Sequence, residues 1–154
     1  MKQLAAITYW LFLCAGASSD IFAQRKAVSG AEVTGTFRSY FKGEIKRSYN
    51  EILIQALGGN KLKIEMKLIY PYKVRGQWTA NLGEASGEAI IHGDTAVFMP
   101  DNNESCKITL KFSRPGTLVV TSQTTSSFEC GFGHNVSADG TYKKLNGAKP
   151  KFGQ

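Results

Sequence analysis

Histidine and cysteine are scarce in this chain, and their scarcity argues against several kinds of functional site. The 154 residues include two histidines and three cysteines. Neither His92 nor His134 has a cluster of acidic residues beside it, so neither predicts a zinc site or another metal site. The sequence also lacks a Gly-x-Ser-x-Gly segment, the turn that carries the nucleophile in many serine hydrolases. We therefore predict no metal and no cofactor.

Long helical patterns and runs of like charge are missing as well. No long segment repeats its apolar residues with a helical period, and no five consecutive residues carry the same charge. The chain has 19 basic and 12 acidic residues, a formal net charge of +7, but the basic residues are dispersed and do not alternate with aromatic ones. A base-stacking surface needs such interleaving, so we expect no nucleic-acid partner. What remains is a weak attraction to anionic envelope polymers.

The one long apolar run lies at the N-terminus. Leu4–Ala17 follows a short positive region and is too short to span a bilayer, as is typical of a secretory signal peptide. Cleavage after Ala17 or after Ala23 satisfies the small-residue rule. We favour Ala23, because cleavage there also removes the bulky pair Ile21-Phe22. The sequence thus predicts a signal peptide over residues 1–23 and an exported protein, periplasmic or secreted, with no transmembrane segment in the mature chain.

Removal of the signal peptide simplifies the cysteine count. Cys14 lies inside the predicted signal, where lipid attachment is the alternative, but Leu13 stands where lipid-attachment sites have a small residue. The mature chain keeps Cys106 and Cys130. An even pair in an exported protein predicts one disulfide. It would close a loop of about 25 residues, for which the chain-entropy estimate is roughly 3.5 kcal/mol.

Alternation of apolar and polar residues dominates the chain from residue 33 onward. In Lys61–Tyr70 the apolar residues fall on one face and the charged residues on the other, which predicts a strand with one solvated face. Asn50–Leu57 precedes it across the turn Gly58–Asn60, so the two segments predict a hairpin. Two further hairpins are predicted by the same pattern: Ser86–Ile91 with Thr95–Met99 across His92–Asp94, and Cys106–Phe112 with Leu118–Thr121 across Arg114–Thr117.

The two ends of the domain resemble each other. Gly35–Arg38 and Gly140–Lys143 both look like short strands that begin with a small residue. Seven or eight antiparallel strands at short spacing predict an all-β sandwich or barrel. We favour an up-and-down barrel of about eight strands, because pairing the first strand with the last removes both edges. Its interior would hold side chains or one small ligand. Residues 24–146 form this domain, and 147–154 a basic flexible tail.

The best candidate for a binding site is aromatic. The segment between Tyr70 and Trp78 is predicted to be a connection at a barrel mouth, and it is rich in the residue types that dominate binding hot spots. The alternative is that Trp78 and one tyrosine cap the core. The Gly-rich segment Cys130–Asn135 adds two candidates, Phe132 and His134. The predicted ligand-binding residues are Tyr70, Tyr72, Arg75, Trp78, Phe132 and His134.

An enzymatic function is the alternative, and it would depend on carboxylates. Glu84 and Glu88 fall on the same face of one predicted strand, but four positions of extended chain span about 13 Å, beyond the roughly 5–9.5 Å between the carboxylates of glycoside hydrolases. A solvated polar face explains them more simply. An enzyme acting on an envelope polymer would use Glu84, Glu88, Asp94 or His134. A third hypothesis is a structural envelope component, held to anionic surfaces by its lysines.

Four short segments of the last third form a recognisable pattern: Cys106–Leu110, Leu118–Val120, Cys130–Gly133 and Gly140–Lys143. The pattern resembles the C-terminal part of small exported, mostly uncharacterised bacterial β-barrel proteins, and it is similar to lysozyme-inhibitor-like envelope β-domains. It implies a periplasmic location and a Cys106–Cys130 bridge, and no catalytic residue. Because animal lysozymes are basic, this chain would meet like charge when it approached one. We therefore expect an exported, non-enzymatic β-barrel protein that binds a ligand or an envelope-acting protein, with lysozyme-inhibitor-like binding as one form.

Overall fold

Eight antiparallel strands close into a barrel in the computed structural model, which describes residues 27–101, 103–113, 116–123 and 127–153. The predicted signal peptide, both cleavage points and Cys14 lie outside these residues. Within the described residues, no helix has the length and apolar character needed to cross a membrane. The strands are β1 (Gly35–Tyr40), β2 (Tyr49–Gly58), β3 (Lys61–Val74), β4 (Gln77–His92), β5 (Thr95–Phe98), β6 (Ile108–Ser113), β7 (Thr117–Ser122) and β8 (Gly140–Asn146).

Each strand pairs with its neighbours in sequence, and β1 also pairs with β8. The predicted up-and-down barrel is confirmed, and the sandwich alternative is wrong, because the sheet closes on itself through this seam. Thr36 lies opposite Asn146, and Phe37 lies opposite Lys144. All three predicted hairpins form, as β2–β3, β4–β5 and β6–β7. Closure leaves neither β1 nor β8 as an open edge, which removes a template for pairing with other chains.

The barrel interior is a packed core. Along β3 the inward side chains of Leu62, Ile64, Met66 and Leu68 are at most 1% exposed, while the lysines between them face solvent. The other strands contribute inward residues of the same kind. The largest of these fully buried side chains are Phe37, Ile52, Ile54, Phe98, Ile108, Leu110, Leu118 and Tyr142. Because these side chains fill the space that an eight-stranded barrel encloses, a ligand is more readily placed on the outside or at an end.

Asn50 is a buried polar residue at one end of the barrel. Its Oδ1 accepts a hydrogen bond from the Ile69 N–H at 2.8 Å, and its Nδ2 donates to the Ser137 carbonyl at 3.4 Å. Nearby, the Tyr142 hydroxyl donates to the Ala138 carbonyl at 2.9 Å, and burial raises the pKa of Tyr142, so the hydroxyl remains protonated. Asn50 therefore ties β2 and β3 to the connection between β7 and β8.

Replacing Asn50 with alanine should lower the free energy of unfolding by about 1–2 kcal/mol, because the Ile69 N–H and the Ser137 carbonyl would lose their partner at a partly buried position. Urea denaturation followed by circular dichroism measures the change. Asn81→Ala is the matched control, since that amide makes one exposed hydrogen bond, to the His134 carbonyl. A loss of the same size in both variants would contradict a special role for Asn50.

The outer edge of β4 is covered by connections for most of its length. β5 pairs with β4 over Ala89–His92. Farther along, the Asp101 N–H donates to the Ser86 carbonyl at 2.8 Å, and the Gly133 N–H donates to the Leu82 carbonyl at 3.0 Å. These bonds bring the β5–β6 and β7–β8 connections against β4, so its backbone groups gain partners where no strand supplies them.

A disulfide joins these two connections. Cys106 and Cys130 are bonded, with their Cα atoms 4.6 Å apart, which confirms the predicted bridge. Beside it, the Asn103 Nδ2 donates to the Glu129 carbonyl at 2.6 Å. Glu129 belongs to a short 3-10 helix, Ser127–Cys130. The bridge thus fastens the cover of the β4 edge.

Two short segments complete the fold. Helix α1 (Gly30–Val33) begins with a capping box formed by Ser29 and Glu32, and the Lys144 Nζ donates to the Glu32 carbonyl at 3.0 Å. After β8, residues 147–153 have no regular structure but return to β3. There the Gly153 N–H donates to the Glu65 carboxylate at 2.9 Å. The segment predicted to be a flexible tail therefore has a defined contact with the barrel wall.

Candidate functional site

Strands β3 and β4 stay paired beyond the point where β3 leaves β2. The β2–β3 ladder ends at Lys67, whereas the β3–β4 ladder runs on from Ile69 to Val74. Residues 69–74 and 77–82 therefore form a two-stranded ribbon, which we call the arm. The prediction of a loop between Tyr70 and Trp78 is wrong, because both strands continue through this segment.

A two-residue turn at the tip explains how the arm is built. Arg75 has a φ of 49° and Gly76 a φ of 83°, and two consecutive residues with positive φ match the turn that best fits the twist of a hairpin. Asn-Gly is the usual pair at such a turn. Arg75-Gly76 fills the same role, so Arg75 lies exposed at the tip of the arm.

Pro71 protects the open edge of the arm. The Ile69 N–H points toward β2, where Asn50 accepts it. Since N–H groups alternate in direction along a strand, the position of Pro71 is on this same edge, where a proline removes a donor without breaking the β3–β4 ladder. The arm is thereby less able to pair with a strand of another chain.

The inner face of the arm carries two tyrosines. Tyr70 and Tyr72 continue the inward-facing positions of β3, and their rings stack with centroids 6.4 Å apart. Asn81 lies opposite Tyr70, and its Nδ2 donates to the His134 carbonyl at 2.7 Å. The His134 ring in turn lies 6.0 Å from that of Phe128, which is 64% exposed. The structure therefore brings three predicted residues, Tyr70, Tyr72 and His134, to one side of the arm.

Phe132 is placed differently from the other candidates. It is 3% exposed and packs against β4 at Gly83, where an added Cβ would lie 2.9 Å from the Phe132 ring. The glycine lets the phenylalanine approach the backbone closely. Phe132 therefore supports the β7–β8 connection from within the core, and it offers no surface to a ligand.

The outer face of the arm carries Trp78, which is 48% exposed. Lys73 lies directly opposite on β3, and its Nζ is 4.7 Å from the centroid of the Trp78 ring. The same Nζ is 2.7 Å from the Glu44 carboxylate. Lys73 lowers the pKa of Glu44, mainly through the hydrogen bond that it donates and to a smaller extent through its positive charge. Glu44 belongs to the 3-10 helix Gly43–Ile45, so this ion pair connects the arm to the β1–β2 connection.

Between the arm and the β1–β2 connection lies an open groove of about 490 Å³. Trp78, Pro71 and Ile69 line one side, and residues 44–48 line the other. The surrounding segments, 42–47 and 73–75, contain five basic residues and one acid, Glu44. The groove therefore combines one exposed aromatic ring with an excess of positive charge. The five basic residues are Lys42, Lys46, Arg47, Lys73 and Arg75.

The acidic residues considered for catalysis do not converge. Glu84 and Glu88 both lie exposed on the outer wall, and the unbroken β3–β4 register between them leaves their Cα atoms about 13 Å apart. Asp94 lies at the turn after β4 and accepts a hydrogen bond from Thr95. His134 lies near the opposite end of β4. In the described parts of the chain, no group of three or more His, Cys, Asp and Glu side chains is arranged to hold a metal ion.

Sequence reasoning identified Trp78 and Arg75 but missed the other side of the groove. The Lys73–Glu44 contact joins residues 29 positions apart, and no local pattern reports such a pairing. The available signal was weak: Lys46-Arg47 is a pair of adjacent bases in a short connection that begins near a glycine. Comparison with known proteins found no family model, curated protein or solved structure that matches this chain. Its function must therefore be argued from the arm and the groove.

Proposed function

We propose that this is an exported, non-enzymatic binding protein that holds a ligand or an envelope-acting partner on its arm. The observation that carries the proposal is the contrast between the barrel and the arm. Side chains fill the interior of the barrel, whereas the arm extends beyond the β2–β3 ladder and leaves Trp78 half exposed. Export is taken from the N-terminal pattern, and a disulfide is typical of proteins in oxidising compartments.

The arm is a costly structure for a domain that needs only to fold. A side chain such as Trp78 or Val74 would contribute about 1.5–3 kcal/mol if it were buried, and the arm leaves both half exposed. A two-stranded ribbon is marginally stable alone, yet this one is held at its base by Asn50 and near its tip by the contact between Glu44 and Lys73. Exposed aromatic residues on such a supported ribbon are typical of a binding surface.

The enzyme hypothesis has less support. Its four residues, Glu84, Glu88, Asp94 and His134, are spread along β4 and over both of its ends, as described above. Acid and base catalysts must reach the same reacting bond. The hypothesis of a purely structural envelope component explains the dispersed lysines but gives no role to the arm.

The proposal predicts that substitutions on the arm weaken binding of the partner without much change in the free energy of unfolding. Trp78→Ala and the pair Tyr70→Ala/Tyr72→Ala test the outer and inner faces separately. Whichever face contacts the partner should show a loss of about tenfold or more, and Trp78→Ala should cost less than about 1 kcal/mol of unfolding free energy because the ring is half exposed. The probes are purified peptidoglycan sacculi in a sedimentation assay and an animal lysozyme in an inhibition assay.

Leu145→Ala serves as the control, since Leu145 is 52% exposed on β8, away from the arm. It should bind both probes like the wild-type protein. The proposal fails if neither probe binds the wild-type protein. It also fails if the arm variants bind as tightly as Leu145→Ala does.

A further inference from the structure

The groove on the outer side of the arm has the chemistry of an anion site with one stacking surface. We propose that it binds an acidic polysaccharide, with a sugar ring against Trp78 and the carboxylates of the polymer against Lys46 and Arg47. This inference rests on the proposed function and names the ligand class for that arm.

Positive charge is in excess around the groove. Lys73 and Glu44 neutralise each other at 2.7 Å. In the described parts of the chain, Lys46 and Arg47 form no ion pair, and both are exposed where the β1–β2 connection lines the groove. Two neighbouring cations without acidic partners favour an anionic ligand, and an arginine binds a carboxylate through two parallel hydrogen bonds.

The shape and surface of the groove suit a sugar. Its volume of about 490 Å³ lies within the range of small-ligand sites. Pro71 and Ile69 give it an apolar wall beside the flat ring of Trp78. Lys73 lies over the same ring and also holds Glu44, which restrains the ring on the arm. A pyranose ring has an apolar C–H face that packs on such a ring and hydroxyl groups that need hydrogen bonds at the rim.

One aromatic ring in the groove favours a polysaccharide over single-stranded nucleic acid. A nucleic-acid track stacks successive bases on a series of aromatic side chains. Among the residues that line this groove, Trp78 alone is aromatic. The nearby pair Tyr40 and Tyr49 pack on each other, with ring centroids 5.5 Å apart, and Arg38 covers the Tyr49 ring at 3.9 Å. Neither tyrosine is among the residues that line the groove, so the two rings do not extend it into a stacking series.

Trp78 itself can report binding. The chain has two tryptophans, and Trp10 belongs to the predicted signal peptide, so in protein that begins at Gln24 all tryptophan fluorescence comes from Trp78 in the groove. Titration with polygalacturonate, a polymer of uronic acid, should change the intensity or wavelength of this fluorescence. The apparent affinity should fall about tenfold or more between low and high salt, because the contacts are exposed charges. Dextran, a neutral glucan, should give no change.

A pair of charge-matched variants locates the effect. Lys46→Glu/Arg47→Glu should lower the affinity for polygalacturonate about tenfold or more. Lys107→Glu/Lys111→Glu makes the same change in net charge on exposed residues at β6, and it should stay within about twofold of the wild-type affinity. Circular dichroism of each variant shows whether the barrel has formed. Equal losses in the two variants would mean that net charge alone attracts the polymer, and the inference would be overturned.

The other outcomes separate this inference from the proposed function. Dextran bound as tightly as polygalacturonate, without salt dependence, overturns the acidic class. An oligothymidylate bound more tightly than polygalacturonate overturns the polysaccharide in favour of nucleic acid. If polygalacturonate fails to bind while Trp78→Ala still weakens lysozyme or sacculus binding, the inference fails and the proposed function stands. If the wild-type protein binds none of these probes, both fail.

Discussion

Replacing Gly35 with alanine should lower the free energy of unfolding by about 3–5 kcal/mol, because the barrel seam has no space for a Cβ atom at this position. Gly35 has a φ of 145°, which residues with a side chain rarely adopt. An added Cβ would overlap the carbonyl oxygen of Asn146 and would lie 2.9 Å from the Lys144 Cε. Asn146 is a backbone partner of β1 in the seam, so the clash acts on the contact that closes the barrel.

Gly59→Ala is the matched control for Gly35→Ala. Gly59 also has a positive φ, 57°, but lies at the β2–β3 turn with no atom within 4 Å of an added Cβ. Gly59→Ala should lower the free energy of unfolding by about 1 kcal/mol, because the side chain meets an unfavourable backbone conformation but no clash. Guanidinium denaturation of both variants measures the difference. If the two variants lose equal stability, close packing at the seam is not what requires a glycine there.

Loss of the Cys106–Cys130 bridge should have the second-largest effect. Cys106→Ser/Cys130→Ser should lower the free energy of unfolding by about 3.5 kcal/mol, within the usual range of roughly 2–5 kcal/mol for a native disulfide. The bridge also fastens the cover of the β4 edge. Hydrogen exchange should therefore speed up most at the Asp101 and Gly133 amides, which donate to β4.

Reduction of the wild-type protein provides an independent control for the bridge. Treatment with a reductant should lower the denaturation midpoint to that of the double serine variant. The two experiments should agree, since both remove the same covalent constraint. A double variant that unfolds at the wild-type denaturant concentration would show that the connections hold β4 without the disulfide.

The barrel could be predicted because its signal is local. Alternation along β3 separates the buried from the solvated face without reference to any other strand. The seam was predicted because pairing the first strand with the last removes both edges, and the two end segments also resemble each other. The structure gives the reason for that likeness, since Gly35 and Gly140 begin β1 and β8 and both have φ near 145°, at 145° and 149°.

The arm could not be predicted, because its existence depends on where β2 begins relative to β3. Pro71 and Gly76 are residues that usually mark a loop. Here Pro71 lies within β3, where its backbone nitrogen faces the open edge of the arm and no hydrogen bond to β4 is lost. Gly76 belongs to the two-residue turn at the tip. Both assignments follow from pairing between strands, which the sequence of either strand alone does not contain. Helix α1 was missed for another reason: it has four residues, too few for a helical period.

Only part of the candidate site could be predicted, because the rest depends on contacts between distant segments of the chain. Residue type identified Trp78 and Arg75, which lie exposed on the arm. Residue type could not show that Phe132 is buried, because its environment depends on the close approach of Gly83 from another strand. It also could not show that Lys46 and Arg47 lie across a groove from Trp78.

The seam has a consequence for how the chain folds. In the up-and-down order, seven of the eight strand pairings join neighbours in sequence, and the connections that they close are much shorter than the chain between β1 and β8. The pairing of Thr36 with Asn146 brings together residues near opposite ends of the domain, and because its contact order is the highest we expect it to form most slowly. In the order of the sequence, β8 is the last of the eight strands to be synthesised. Before β8 is available, the other seven strands can form only an open sheet with two unpaired edges, so the barrel can close only after β8 has been made.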